Sequence, residues 1–403
     1  MHLFFDVSLT VAKPWLAQPS GIDRVEFAHL RHWQNLPRDD ITFVMRNGWN
    51  QLAAIPDWLG DQYLDLVDKR VAGGMAANRT ELLIRSGAIM YTQWWGVGRR
   101  LLKRRLAARP DSVFLTVSCA TLHMLPILQE LHGRGCGIVP LIHDVIPLSH
   151  PQFMKPKETR LHRLRLQALS RYSHAGLVVS EAALADLHKF TSDLGLALPP
   201  MTVVHPGVDL RTDNLPPATN PETPYFLMVG SLEPRKNYQL IRKLWQELGT
   251  HEEVPRLVIV GRTSTMPHPD VEDMSSIGVR GKIEYRGRVS DTELSSLLKG
   301  ARALLFPSVI EGFGIPVAEA LAAGIPAIVS DIPAFREVGG ETPEYVPPQD
   351  KDAWRRAILE YAGEASALRR AQIARMPAWK MPTWDAHFQK VEQVLRQVAS
   401  RKG

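Results

Sequence analysis

The sequence predicts an α/β protein with two doubly wound domains that face each other across a cleft. The chain has 403 residues, which is too long for one typical core and suits two domains of roughly 150 to 200 residues each. Short apolar runs alternate with helical patterns in both halves, as in parallel sheets covered by helices. The segment RTDNLPPATNPETP interrupts this alternation after Leu210. We therefore expect two Rossmann-like domains joined by a linker.

The first domain is predicted to cover residues 1–210, and the linker residues 211–223. The N-terminal MHLFFDVSLTV has no basic leader and carries Asp6 within its apolar run, so we expect a strand there rather than a signal peptide. The strand candidates of this domain are HLFFDV, ITFVMR, AIMYTQ, SVFLTVS, GIVPLIHD, AGLVVS and MTVVHP.

The second domain is predicted to cover residues 224–380. Its predicted elements are, in order, strand YFLMVGS, helix NYQLIRKLWQEL, strands RLVIVG and KIEYRG, helix TELSSLLKGA, strand ALLFPS, helix PVAEALAAG and strand PAIVSD. Residues 381–403 are predicted to form a last helix, capped by Thr383 or Asp385, because apolar residues recur at helical spacing. We expect this helix to pack back on the first domain.

Composition narrows the class of protein. Apolar residues make up 45% and charged residues 22% of the chain, as in ordinary globular proteins. No uncharged apolar run reaches the roughly 18 to 20 residues that span a bilayer, so any membrane contact is expected to be peripheral. Cys119 and Cys136 match no redox or metal motif and suit a cytoplasmic location. The net charge of +6 favours an anionic partner without choosing among nucleic acid, lipid and phosphorylated small molecules.

Two glutamates flank a glycine-rich turn in the stretch PSVIEGFGIPVAEALAAG. Glu311 is predicted in the loop after a strand, and Glu319 about one turn inside the following helix. Loops at the carboxyl ends of parallel strands are where such sheets bind ligands. Gly312 and Gly314 would let backbone amides approach a phosphate or a sugar. Without this context, both glutamates would be interpreted as solvated surface residues.

A second candidate site lies in VGSLEPRKN, where a strand runs into a glycine turn. Arg235 and Lys236 stand just before a helix that begins at Asn237. Two cations beside a helix N-terminus favour binding of an anion. The alternative interpretation is a solvated basic pair.

These motifs carry a family resemblance. GSLEPRKN, EYRGRVSDTELSSLLKGA and FPSVIEGFGIPVAEALAAGIPAIVSDIPAFREVGG together resemble the donor-binding half of retaining glycosyltransferases of family 4, which have the GT-B fold. The resemblance implies that Arg235 and Lys236 hold the diphosphate of a nucleotide sugar. It also implies that Glu311 accepts hydroxyls of the donor sugar and that Glu319 binds the ribose hydroxyls.

The resemblance extends to further donor-binding residues and, more weakly, to the first half. PSGIDRVEF resembles the family's glycine loop, although Ser20 stands where a second glycine is common. LIHDVIP places His143 where the family contacts the transferred sugar; the alternative is a structural histidine. Ser180 is expected to cap a helix. The other implied donor-binding residues are Gly21, Ser231, Arg288, Val289, Gly312, Phe313, Gly314 and Ile315.

The resemblance also implies a reaction course. The family retains the anomeric configuration, and the leaving phosphate is proposed to take the proton of the acceptor. Fixed cations would act where negative charge develops on that phosphate. We therefore expect neither an enzymatic nucleophile nor a metal or cofactor, and the sequence contains no DxD-type metal motif in this region.

A basic segment, WWGVGRRLLKRRLAARP, is a candidate for contact with an anionic membrane surface. Basic residues beside tryptophans on an amphipathic helix suit the inner face of the cytoplasmic membrane. An ordinary solvated helix face is the alternative, as it is for KPKETRLHRLRLQALSRY, and no nucleic-acid motif accompanies the charge. The candidate contact residues are Arg99, Arg100, Lys103, Arg104 and Arg105.

The function predicted on these grounds is transfer of a hexose to a glycan or lipid-linked acceptor in assembly of a bacterial surface polysaccharide. IPAFREVGG and HDVIP most resemble mannosyl- and rhamnosyl-transferring relatives, so GDP-mannose is the first donor candidate, with UDP and dTDP sugars as alternatives. Epimerases and glycan phosphorylases share the fold but not this motif set. A non-catalytic protein that binds nucleotide sugars is a further alternative.

Overall fold

The computed structural model describes residues 1–12, 21–73, 79–209, 224–248, 256–263 and 282–401. The predicted linker 211–223, Leu210 and Ser20 lie outside the described residues. The described residues form two mostly parallel sheets covered by helices, which confirms the predicted α/β class with two sheet domains.

In the described part of the first half, seven strands form one sheet in the order β3-β2-β1-β4-β5-β6-β7. All neighbouring strands are parallel except β2 and β3, which are antiparallel. The strands are almost wholly buried because helices cover both faces of the sheet. They are β1 (His2–Asp6), β2 (Ile41–Arg46), β3 (Leu52–Ala54), β4 (Ser112–Thr116), β5 (Gly137–Ile142), β6 (Gly176–Val178) and β7 (Met201–Val203).

The helices of the first half include one segment that the sequence pattern assigned wrongly. AIMYTQ, residues 88–93, was predicted as a strand and is helical, because Leu82, Ile89 and Gln93 are buried at helical spacing. The short strand β3 was not predicted. The helices are α1 (Ser8–Ala12), α2 (Gly21–Trp33), α3 (Asp57–Gly73), α4 (Arg79–Trp94), α5 (Val97–Ala108), α6 (Leu125–Gly133), α7 (Ile146–Ser149), α8 (Pro156–Tyr172) and α9 (Glu181–Asp193).

The second sheet has the order β10-β9-β8-β11-β12-β13 among the described residues, and all its strands are parallel. This is the doubly wound order in which the connection reverses between the first and fourth strands. Each strand predicted in this half is present, and β13 is an addition. The strands are β8 (Tyr225–Val229), β9 (Arg256–Val260), β10 (Ile283–Gly287), β11 (Ala303–Phe306), β12 (Ala327–Ser330) and β13 (Glu344–Val346).

The helices predicted in the second half are present in the predicted order, and those at residues 333–339, 351–362 and 367–375 are additions. In the described residues of this half, single turns of 3-10 helix lie at Pro234–Lys236 and Met376–Ala378, and the first half has one at Pro151–Phe153. The α-helices are α10 (Tyr238–Leu248), α11 (Asp291–Gly300), α12 (Ile315–Ala322), α13 (Pro333–Gly339), α14 (Lys351–Ala362), α15 (Ala367–Arg375) and α16 (Trp384–Ser400).

The last helix, α16, packs on the first domain, as predicted. The Thr383 hydroxyl caps it by accepting from the Ala386 amide at 3.3 Å. Its apolar stripe is buried, with Val391 and Leu395 fully so. It contacts β4 and β5 of the first sheet. This helix therefore ties the end of the chain to the first half by apolar burial.

Direct hydrogen bonds also join the two halves. Ser180 caps α9 by accepting from the Ala183 amide at 2.9 Å, as predicted, and its hydroxyl donates to the Gly312 carbonyl at 2.5 Å. The Glu337 carboxylate accepts from the amides of Glu181 and Ala182 at 2.7 and 3.0 Å. The start of α9 therefore binds a carboxylate and a loop of the second domain.

None of the helices in the described part of the chain is long and apolar enough to cross a bilayer.

Candidate active site

A cavity of about 450 Å3 lies between the two domains. It is bordered by the residues that follow β5 in the first domain and by those that follow β8 and β11 in the second. These are carboxyl ends of parallel strands, where doubly wound sheets bind ligands. The size is typical of small-molecule sites.

All of the residues predicted for the site line this one cavity. The first domain contributes Gly21 and His143. The second contributes Ser231, Arg235, Lys236, Arg288, Val289, Glu311, Gly312, Phe313, Gly314, Ile315 and Glu319.

Two cations and a glutamate form a buried charge cluster at the cavity wall. Arg235 Nη1 lies 2.7 Å from Glu311 Oε2, and the Lys236 ammonium pairs with Glu311 Oε1. Arg235 also contacts Glu233 at 2.8 Å, and the Ser308 hydroxyl donates to Glu311 at 2.8 Å. The Glu311 side chain is only 10% exposed. In this conformation, Glu311 is the counter-ion of the two cations that the sequence assigned to a phosphate.

Burial and pairing act in opposite directions on the pKa values of this cluster. Burial would raise the pKa of Glu311, but Arg235 and Lys236 outweigh it and lower the pKa to about 2. Burial lowers the pKa of Lys236, and Glu311 only partly opposes this. Burial also works against the charge of Arg235, yet Glu311 and Glu233 raise its pKa above the ordinary value. Glu311 and Arg235 are therefore held in their ionised forms.

Local backbone geometry presents the cations to the cavity. Pro234–Lys236 form a single 3-10 turn after β8, and Asn237 follows in the left-handed region with φ of 56°. Asparagine tolerates this region better than most residues. The Arg235 carbonyl accepts from the Val309 amide at 2.8 Å, which fixes this turn against the loop that carries Glu311.

Glu319 is engaged by a residue of the first domain that the sequence interpretation missed. Arg24 on α2 places Nη1 at 2.5 Å from Glu319 and Nη2 at 2.9 Å from Asp291. Glu319 in turn raises the pKa of Arg24. Burial raises the pKa of Glu319, and Arg24 opposes that change without cancelling it. Arg24 lies three residues after Gly21 in the resembling loop, which was the available signal.

His143 lies in a loop of the first domain that contacts the second domain. Its Nε2 donates to the Val117 carbonyl at 2.6 Å, and burial lowers its pKa, so the ring is neutral near pH 7. The Gly312 backbone touches the same loop: a Cβ at this position would lie 2.3 Å from the His143 carbonyl oxygen. Glycine is therefore required here by the approach of the second domain.

Two further cations reach the cavity from its exposed rim. Arg262 follows β9 and Arg288 follows β10, and both side chains are solvent-exposed. Neither forms an ion pair within the described residues, so both are available to an anion. Arg262 was not predicted. The residues that the structure describes contain no group of three or more histidines, cysteines and carboxylates that could hold a metal ion.

Comparison with known proteins identifies the domain that carries most of these residues. The family described as glycosyl transferases group 1 matches residues 212–375. This part of the chain is a glycosyltransferase domain. The O-antigen chain mannosyltransferase RfbU of Salmonella typhimurium is 29% identical over 246 residues, which are 60% of this chain and 63% of the relative. The chain thus matches less than two thirds of that relative's length.

Solved structures show the same fold across the whole chain. Sucrose-phosphate synthase from Thermosynechococcus elongatus aligns with a TM-score of 0.66 at 15% identity and covers 100% of both chains. Anabaena HepE in complex with UDP aligns with a TM-score of 0.63 at 13% identity, covering 98% of this chain and 99% of its own. The expected GT-B fold is confirmed.

Proposed function

We propose that the chain is a retaining, metal-independent mannosyltransferase that transfers mannose from GDP-mannose to a glycan or lipid-linked acceptor in bacterial surface polysaccharide assembly. The observation that carries the proposal is the pairing of Arg235 and Lys236 with a single carboxylate, Glu311, at the wall of the interdomain cavity. RfbU, an O-antigen chain mannosyltransferase, supports the sugar and the pathway class. Cys119 and Cys136 are buried and form no disulfide, which suits the cytoplasmic location we propose.

The diphosphate of the donor would bind at Arg235 and Lys236. Its oxygens would compete with Glu311 for the two cations and free this carboxylate to accept hydroxyls of the donor sugar. Arg262 and Arg288 at the rim add positive charge for the same group. HepE, with a similar fold, binds UDP, which supports a nucleoside diphosphate as the ligand.

In the proposed reaction, the bond between the anomeric carbon and the diphosphate oxygen breaks as the acceptor oxygen attacks from the same face. The acceptor proton passes to the leaving phosphate oxygen. Negative charge grows on that phosphate, where Arg235 and Lys236 would stabilise it. His143, neutral and half-buried, would donate or accept a hydrogen bond at the transferred sugar without becoming charged. No protein nucleophile takes part.

The test begins with thermal stabilisation of the full chain by GDP, UDP, ADP and dTDP. A ligand at ~100 times its dissociation constant adds about 2.7 kcal/mol to the folded state. We expect GDP to stabilise selectively and Arg235→Ala to abolish the effect. A selective shift with UDP or dTDP would instead assign the alternative donors.

Transfer is then measured with GDP-mannose and a lipid-linked oligosaccharide, and the anomeric configuration of the product is read by NMR. Arg235→Ala is expected to lower the rate on the order of 10² to 10³-fold. Inversion of configuration would refute the reaction course. Donor binding with neither transfer nor slow donor hydrolysis would point to the non-catalytic alternative.

A further inference from the structure

Helix α4 exposes an apolar stripe on the side that faces away from the core. Its buried side carries Leu82, Ile89 and Gln93. The opposite side is also apolar, with Ile84 65% exposed, Tyr91 64% exposed and Trp94 71% exposed. Residues three, four and seven positions apart share a helix face, so this is one continuous stripe. Its members are Leu83, Ile84, Met90, Tyr91 and Trp94.

Aromatic contacts extend this stripe beyond α4. Trp49, in the loop after β2, contacts Trp94 with ring centroids 5.1 Å apart and the rings tilted by 46°. The ring centroids of Tyr91 and Trp95 are 6.1 Å apart. Trp49 and Trp95 are themselves 52% and 62% exposed. Large exposed apolar patches on a folded protein mark contact surfaces. Indole and phenol rings are favoured at the level of lipid headgroups.

Helix α5 continues the surface with positive charge. Arg100, Lys103 and Arg104 are solvent-exposed and form no ion pair in the described part of the chain. Arg99 and Arg105 behave differently: Arg99 pairs with Glu130, and Arg105 contacts Asp57 at 2.6 Å. The five basic residues predicted for a membrane contact therefore reduce to three with free charge.

The exposed apolar stripe and the unpaired cations together indicate which kind of partner binds this surface. A second copy of the chain on a twofold axis would bring the same patch against itself and place its unpaired cations close together. An anionic bilayer instead offers headgroup charge for the cations and an interfacial region for the aromatic rings. Each exposed cation adds roughly fivefold to affinity at such a surface.

The position of Trp49 relates the surface to the active site. Trp49 follows β2 at its carboxyl end, and His143 follows β5 at its carboxyl end. Carboxyl ends of parallel strands lie at the same edge of a sheet, and β2 and β5 belong to one sheet. The surface therefore begins at the edge on which the cavity opens.

We propose that the α4–α5 surface, formed by Trp49, the exposed stripe of α4, Trp95 and the basic residues Arg100, Lys103 and Arg104, docks the chain on an anionic lipid bilayer. This deepens the proposed function, since the docked chain meets a lipid-linked acceptor at the membrane. The docking itself requires neither donor nor acceptor.

The test is flotation of the full chain with vesicles of phosphatidylglycerol and phosphatidylethanolamine, compared with phosphatidylcholine vesicles. Replacing the three free cations by Gln (Arg100→Gln, Lys103→Gln, Arg104→Gln) is expected to weaken binding to the anionic vesicles roughly 100-fold. A charge-matched control removes three exposed arginines elsewhere, by Arg356→Gln, Arg370→Gln and Arg401→Gln, and should bind as the unaltered chain does.

A second variant tests the apolar part of the surface. Trp94→Ser with Trp95→Ser is expected to lose the blue shift of tryptophan fluorescence on vesicle binding. Both residues are exposed, so the fold is kept.

Equal binding to neutral and anionic vesicles, or no binding at all, would overturn the proposal. A dimer in light scattering that Trp94→Ser abolishes would assign the surface to a second copy. If the chain proved not to transfer mannose, its binding to vesicles would be unchanged. Failure of the proposed function is therefore distinguishable from failure of the docking proposal.

Discussion

Replacement of Glu311 by glutamine tests whether this carboxylate is the counter-ion that a phosphate displaces. The ordinary pKa of a glutamate side chain is 4.5, and the pKa of Glu311 in the folded protein is about 2. A difference of about 2.5 pKa units at about 1.36 kcal/mol each gives roughly 3 kcal/mol in favour of the ionised form. Because Glu311 is 10% exposed, solvent screening removes little of this.

Glu311→Gln should therefore lower the free energy of unfolding by about 3 kcal/mol at pH 7, or the Tm by about 6 to 12 °C. A depressed carboxylate pKa stabilises the fold above the unfolded pKa. That contribution is lost as pH falls from 4.5 toward 2, so the two proteins should converge in that range. Transfer is expected to fall at least tenfold.

The same substitution should increase stabilisation by GDP. Arg235 and Lys236 lack their shared counter-ion in the variant, and a diphosphate restores it without displacing a carboxylate. Differential scanning fluorimetry with and without GDP measures both effects. Glu319→Gln is the matched control, because burial already raises the pKa of Glu319 and its neutral replacement should not lower the Tm through loss of charge. An unchanged Tm together with an unchanged GDP shift in Glu311→Gln would refute the reasoning.

Three further substitutions test other parts of the structure. Gly312→Ala would place a Cβ 2.3 Å from the His143 carbonyl oxygen, so the two domains would have to move apart. We expect a larger radius of gyration by X-ray scattering and at least tenfold slower transfer. An unchanged radius of gyration would contradict this. Arg24→Ala removes the ion-pair partner of Glu319, which would compete with the ribose in the proposed complex. Calorimetry should therefore show about fivefold tighter GDP binding, and weaker binding would assign Arg24 to the ligand. Burial raises the pKa of Glu26 from 4.5 to about 7. The stability that protonated Glu26 contributes below pH 4.5 is therefore lost as pH rises through 7. In urea unfolding at pH 8, Glu26→Gln should raise the free energy of unfolding by about 3 kcal/mol. Parallel plots of unfolding free energy against pH for the unaltered chain and Glu26→Gln would exclude titration of Glu26 as the cause.

Much of the fold and of the candidate site could be predicted because the signals are local. Most strands of the second sheet are short apolar runs. The predicted ligands Arg235, Lys236 and Glu311 follow such runs within seven residues. The rule that carboxyl ends of parallel strands share one edge then brings Arg235 and Glu311 together, although they are 76 positions apart. The helix α4 escaped this reasoning, because an apolar run such as residues 88–93 fits a strand or a helix equally well.

The pairings inside the site were beyond the sequence patterns. Arg24 and Glu319 are 295 positions apart and lie on different domains. No local periodicity reports such a contact. The same holds for Ser180, which the sequence identified as a helix cap and which also donates to Gly312 across the domain boundary.

By itself, the sequence determined the two doubly wound domains, the capped last helix and many of the residues that line the cavity, because apolar periodicity and turn chemistry act over a few residues. Only the tertiary structure decided which charges neutralise each other. Glu311 is ionised because packing buries it against two cations, whereas Glu319 is shifted toward its neutral form because one guanidinium does not offset its burial. The balance between desolvation and Coulomb attraction depends on distances between side chains that only the folded chain sets.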